Sequence, residues 1–159
     1  MSQQLLKLGK RLNSNVAIGK FTVVVDSTGT YENGIDVPAA ANAGPIAGVA
    51  DESILTESMN DYSAGQYQIT SGTAWPSNSI PSSATGRGIA VVVLGISRVV
   101  ASAAISIGDD VNIADSQGRI KTVDETTGTT VYVLGKALQA ATAAGDIIKV
   151  MVNPMKKVV

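Results

Sequence analysis

The 159-residue chain contains neither histidine nor cysteine. Without histidine it lacks the side chain that most often serves as a general base near neutral pH, and without both it lacks the commonest zinc ligands and any thiol nucleophile. Disulfides are excluded too, so burial and hydrogen bonding must hold the fold unaided. Aromatic residues are 4% and charged residues 16% of the chain, whereas a soluble monomer carries near a quarter charged residues. That leaves neutral surface suited to burial against other chains. The formal net charge of −1 gives no basic footprint for phosphate contacts, so nucleic acid is not an expected partner. The longest apolar run, Ile89 to Ile96, falls well short of the roughly 20 residues a membrane helix needs. The N-terminal residues place their charges after a short, broken apolar stretch, the wrong order for a secretory signal. No membrane partner is expected, and synthesis in a cytoplasm is.

What the chain has in abundance is small and β-branched residues separated by Gly, Pro, Asn and Asp, the composition of short packed strands. One segment recurs. Ile18-Gly19 followed by Asp26-Ser27-Thr28-Gly29 returns as Ile107-Gly108 followed by Asp115-Ser116-Gln117-Gly118, with Val24 against Ile113 between the anchors. Ile46-Ala47-Gly48 similarly resembles Val133-Leu134-Gly135, and Gly88-Ile89-Ala90-Val91 matches the position of Asp146-Ile147-Ile148-Lys149. This spacing predicts two similar β halves.

The expected organisation is an extended N-terminal arm over 1–15, one β domain over 16–153, and a polar tail over 154–159. Within the domain, a first half (16–50) and a second (88–153) flank a long loop insertion (51–87). Strands are expected at Phe21–Val25, Ile46–Ala50, Ile89–Leu94, Arg98–Ser102, Asp110–Ala114, Arg119–Thr122, Val131–Leu138 and Ile147–Val152, with Asn33-Gly34 as a tight hairpin turn. The fold class is all-β: a small barrel or sandwich of short antiparallel strands.

Charge is segregated along the chain. Residues 1–20 carry Lys7, Lys10, Arg11 and Lys20 without an acid, and residues 21–66 carry Asp26, Glu32, Asp36, Asp51, Glu52, Glu57 and Asp61 without a base. Leu5, Leu6, Leu8 and Leu12 interleave with the basic residues, giving an amphipathic pattern too short for a lone helix. This segment reads either as a docked or frayed terminus or as an arm that orders against a partner. The insertion holds Tyr62, Tyr67 and the sole tryptophan, Trp75, which serve either as an interface anchor or as a lid over the barrel end.

Motifs for chemistry fail on inspection. A calcium loop begun at Asp110 would need an oxygen ligand where Ala114 stands and a glutamate where Lys121 stands. Gly19-Lys20 and Gly135-Lys136 lack the following Ser or Thr of a phosphate loop, and no Ser-x-x-Lys occurs. The acidic pairs Asp51-Glu52, Asp109-Asp110 and Asp124-Glu125 read as solvated turn charges. No catalytic residue, metal site or cofactor is expected.

The second half has a recognisable cadence: Ala104-Ile105-Ser106-Ile107-Gly108-Asp109-Asp110-Val111, then Gly118-Arg119-Ile120, Val133-Leu134-Gly135-Lys136-Ala137-Leu138, and Ala143-Ala144-Gly145-Asp146-Ile147-Ile148-Lys149-Val150. It resembles the small β-barrel capsid decoration (cement) proteins of tailed bacteriophages over residues 88–153, with a fainter trace at 16–50. The resemblance implies a non-enzymatic virion protein on the outer surface of an icosahedral shell. Its partners would be the major capsid protein and its own copies, commonly as a homotrimer bridging neighbouring subunits. Under that reading Leu5, Leu6, Lys7, Leu8, Lys10, Arg11 and Leu12 form the capsid-binding arm, and Tyr62, Tyr67 and Trp75 a further interface loop. A carbohydrate- or receptor-binding module, in which Trp75, Tyr67 and the polar loops of the insertion form a sugar platform, is the alternative.

Overall fold

The computed structural model describes residues 5–14, 16–53, 86–126 and 128–159. As expected, the fold is all-β, and the described residues form nine strands: β1 Leu6–Leu12, β2 Val23–Asp26, β3 Gly34–Asp36, β4 Ile46–Ala50, β5 Gly88–Val100, β6 Asp110–Ile113, β7 Ile120–Thr122, β8 Thr130–Ala137 and β9 Ile147–Val158. Two of them are long. β5 merges the two strands expected at Ile89–Leu94 and Arg98–Ser102, because Gly95 is buried within the sheet rather than ending it. β9 continues through Pro154 into the residues expected as a tail, pairing Tyr132 with Lys156 and Thr130 with Val158.

The strands build two five-stranded barrels in tandem that share β5. In the first the order is β1-β3-β2-β4-β5, and β1 pairs back onto β5 to close the ring. In the second, the latter part of β5 takes the place of β1, followed by β7, β6, β8 and β9. Register establishes the equivalence. β1 meets β3 in parallel at Leu12↔Ile35, and Ala101, just past β5, meets β7 in parallel at Ile120. β1 runs antiparallel to the start of β5 through Arg11↔Gly88, Gly9↔Ala90 and Lys7↔Val92. The latter part of β5 repeats this ladder against β9 through Val100↔Ile147, Arg98↔Lys149 and Ile96↔Met151.

The interiors correspond as well. Leu12, Val24, Ile35, Ala47, Ala50, Ile89 and Val91 are buried in the first core. Ala101, Ile113, Ile120, Leu134, Ala137, Ile148 and Val150 occupy the matching positions of the second. Two of these pairs, Val24 with Ile113 and Ala47 with Leu134, are the ones the sequence repeat aligns. Gly48 and Gly135 also match, and both adopt positive φ, 148° and 154°. A β-carbon at Gly48 would lie 2.2 Å from the Val92 carbonyl oxygen, and one at Gly135 1.8 Å from that of Met151. Each barrel thus uses a glycine where its fourth strand lies against the backbone of its fifth too closely for a β-carbon.

Several expectations need correction. Leu6–Leu12 are not a free arm: they form β1, and Leu12 is fully buried. The halves divide inside β5 rather than before it. Asn33-Gly34 is not the hairpin turn, since Gly34 already opens β3 and its amide donates to the Tyr31 carbonyl. At the repeat's first identity the copies part. Ile18 is buried while Ile107 is 69% exposed, and Ile105 fills the core instead.

The β3–β4 loop fastens one barrel to the other. Asn42, at φ 54°, accepts from the Tyr132 amide at 3.1 Å through its side-chain oxygen and donates from its own amide to the Ile113 carbonyl at 2.8 Å. The buried Asn112 Nδ2 donates to the same Asn42 oxygen at 3.4 Å.

Candidate interaction face

The basic residues expected to reach a partner are engaged within the chain. Lys7 Nζ lies 2.6 Å from Asp51 and Lys10 Nζ 3.1 Å from Asp26. The Arg11 guanidinium stands 5.4 Å from the Tyr31 ring centre. The segregation seen in the sequence is therefore resolved inside the first barrel, where a basic strand closes against acidic neighbours. Leu12 belongs to the core, and Leu5, Leu6 and Leu8 remain exposed. Tyr62, Tyr67 and Trp75 lie outside the described residues.

Leu6 is directly opposite Leu94 on β5, and both are exposed. Because side chains two apart on a strand share a face, Leu94 continues to Ile96, Arg98 and Val100. Across the ladder these meet Met151, Lys149 and Ile147 of β9, whose outward positions alternate with the buried Ile148, Val150 and Val152. Leu138, exposed at the end of β8, donates its amide to the Lys149 carbonyl at 2.9 Å. The outer surface of the shared strand and its neighbours therefore carries an apolar band, Leu6, Leu94, Ile96, Met151, Leu138 and Ile147, flanked on β8 by Lys136 opposite Met151. At its centre Arg98 sits directly opposite Lys149.

Two like charges so placed disfavour each other. Among the described residues neither has an ion-pair partner. Their neighbours differ. Lys136 pairs with Asp110 at 2.7 Å, and Lys157 bridges Asp110 at 3.4 Å and Glu125 at 3.2 Å. The Lys136 hydrogen bond holds the Asp110 carboxyl below its ordinary pKa, and Glu125 followed by Asp110 holds the Lys157 ammonium above its own. Asp146 is likewise lowered, by hydrogen bonds from the Thr142 and Ala143 amides and the Thr142 hydroxyl. These acids and bases are matched within the fold. Arg98 and Lys149 are not.

Of this face, sequence reasoning identified only Leu6 and its exposed leucine neighbours. The signal for the rest is the near-continuous apolar run Ile147-Ile148-Lys149-Val150-Met151-Val152: one parity of a strand must be outward, and here either parity is at least two-thirds apolar. Among the described residues no three His, Cys, Asp or Glu side chains group as metal ligands. Asp109, Asp110, Asp124 and Glu125 do line a shallow hollow with Lys136, but Asp110 is already paired with Lys136 and Lys157, and Glu125 with Lys157.

No known family model matches the chain, and no curated protein does. Among solved structures the fold is similar to the N base of the head fiber gp8.5 of bacteriophage phi29. The two are 16% identical at a TM-score of 0.56, over 94% of this chain and 95% of that one. The chain therefore shares its fold, along nearly its whole length, with a protein of a phage head.

Proposed function

We propose that the chain is a structural virion protein that binds the outer surface of a phage capsid and stabilises it by bridging neighbouring shell subunits. The observation that carries this reading is the fold likeness to a head-fiber base, which spans both barrels rather than one. The decoration-protein cadence of the second barrel points the same way. Its role is mechanical rather than catalytic: each copy adds modest contacts, and a shell carrying many copies sums them. We further propose that it acts as a homotrimer, with the major capsid protein as partner and the β1, β5 and β9 outer face as the surface that meets the shell.

Co-sedimentation of the purified chain with expanded phage shells tests the binding. The chain should pellet at a fixed ratio to shell protein and raise the temperature at which shells disrupt. A chain that stays in the supernatant at micromolar concentration refutes the reading. Light scattering tests the trimer, which a monomeric mass refutes.

A further inference from the structure

The Arg98 and Lys149 pair has no counterpart in the first barrel, where the register places Gly9 opposite Ala90. One ladder thus carries two cations at the position where its twin carries none. Sheet stability does not call for them, because like charges directly across an antiparallel ladder oppose pairing. Nor are they a lone charged spot on a polar surface. Ile96 and Met151 lie on one side of them, Val100 and Ile147 on the other, and Leu138 beyond Lys149. Met151, Ile147 and Leu138 are exposed and Ile96 and Val100 half-buried, while Lys136, opposite Met151, is already paired with Asp110. Two cations so flanked, unpaired among the described residues, form a surface whose complement carries acid at its centre and apolar residues around it.

We infer that this face docks a protein surface presenting carboxylate side chains, placed to sit between Arg98 and Lys149, within an apolar surround. This rests on the reading above and specifies the chemistry of the shell surface that the chain recognises. A carboxylate between the two would turn a repulsive pair into two attractive ones. Excluding water with the apolar ring would strengthen both. A second copy fits less well, since the same face would bring Arg98 and Lys149 against their own likeness across a two-fold interface.

The test compares wild type, Lys149→Glu and the double variant Arg98→Glu/Lys149→Glu, with Lys121→Glu on the small strand β7 as the charge-matched control. Each is mixed with expanded shells of the same virion at low and high salt. Wild type should pellet with shells and weaken as salt rises. Lys149→Glu should bind at least about 30-fold more weakly, the double variant more weakly still, and the control like wild type. Free in solution, Lys149→Glu should melt about 1–3 °C higher, because it faces Arg98 with an opposite charge. That gain rules out misfolding as the cause of lost binding. If wild type pellets and Lys149→Glu pellets equally well, the inference is overturned while the shell reading stands. Should Lys149→Glu break up the chain's own oligomer, the face is a self-interface and the inference is again overturned. If wild type itself fails to pellet, both readings fall together.

Discussion

The matched glycines allow the tandem-barrel account to be tested through energetics. Replacing Gly135 by alanine puts a β-carbon 1.8 Å from the Met151 carbonyl oxygen and 2.9 Å from its carbon, at φ 154°. No side chain can rotate away, because the obstacle is the neighbouring backbone, and β8 must separate locally from β9. Backbone strain alone costs about 1–3 kcal/mol, and loss of local ladder hydrogen bonds about 1–2 kcal/mol more. The sum, about 2–5 kcal/mol, is a large share of the roughly 5–15 kcal/mol available to a domain. It corresponds to a drop in Tm of roughly 10 °C. Gly48→Ala should behave similarly, since its β-carbon meets the Val92 carbonyl oxygen at 2.2 Å. Gly145→Ala supplies the comparison: its φ is 92°, but nothing lies within 4 Å of the added carbon, so only the strain of about 1–3 kcal/mol remains. Urea denaturation of the three variants measures the differences. Equal losses at Gly135 and Gly145 would refute the close approach of β8 to β9, and a large loss at Gly135 with none at Gly48 would refute the equivalence of the barrels.

Further outcomes follow from the same contacts. Leu12→Ala should cost about 2–5 kcal/mol in chemical denaturation, because Leu12 is core rather than arm; a loss under 0.5 kcal/mol would return β1 to the status of a free segment. Asn42→Ala should cost about 1–3 kcal/mol by removing the acceptor of the Tyr132 amide, and a neutral result would show that the loop does not fasten the barrels. Because Asp110 and Asp146 have folded pKa values below their ordinary ones, their stabilisation is complete above the unfolded value and declines as pH falls through the lowered one. Urea midpoints measured from pH 6 to pH 2 should fall less steeply in Asp110→Asn than in wild type. An unchanged slope contradicts the role given to its lysine partners.

Much of this architecture was legible in the sequence, and the exceptions have physical causes. Small β-branched runs and regularly spaced turn residues announce an all-β fold. The Ala47-Gly48 and Leu134-Gly135 match survives because both glycines answer to the same steric demand. β1 was obscured because Leu-Lys-Leu-Gly-Lys-Arg-Leu shows no clean two-residue alternation, and its charges find partners in acids distant along the chain. Gly95 looked like a strand break because glycine weakens strands, yet here it is the joint at which one barrel passes into the next. Pro154 looked like the start of a tail for the same kind of reason. The Arg98 and Lys149 pair could not be read at all, since their opposition exists only in the register of β5 against β9.

The most direct measurement is an electron cryo-microscopy reconstruction of expanded shells saturated with the chain. The account predicts extra density on the outer surface that accommodates both barrels, with the outer face of β5 and β9 against the shell and acidic side chains beside Arg98 and Lys149. Bare shells, or bound chains with that face turned to solvent, would contradict it.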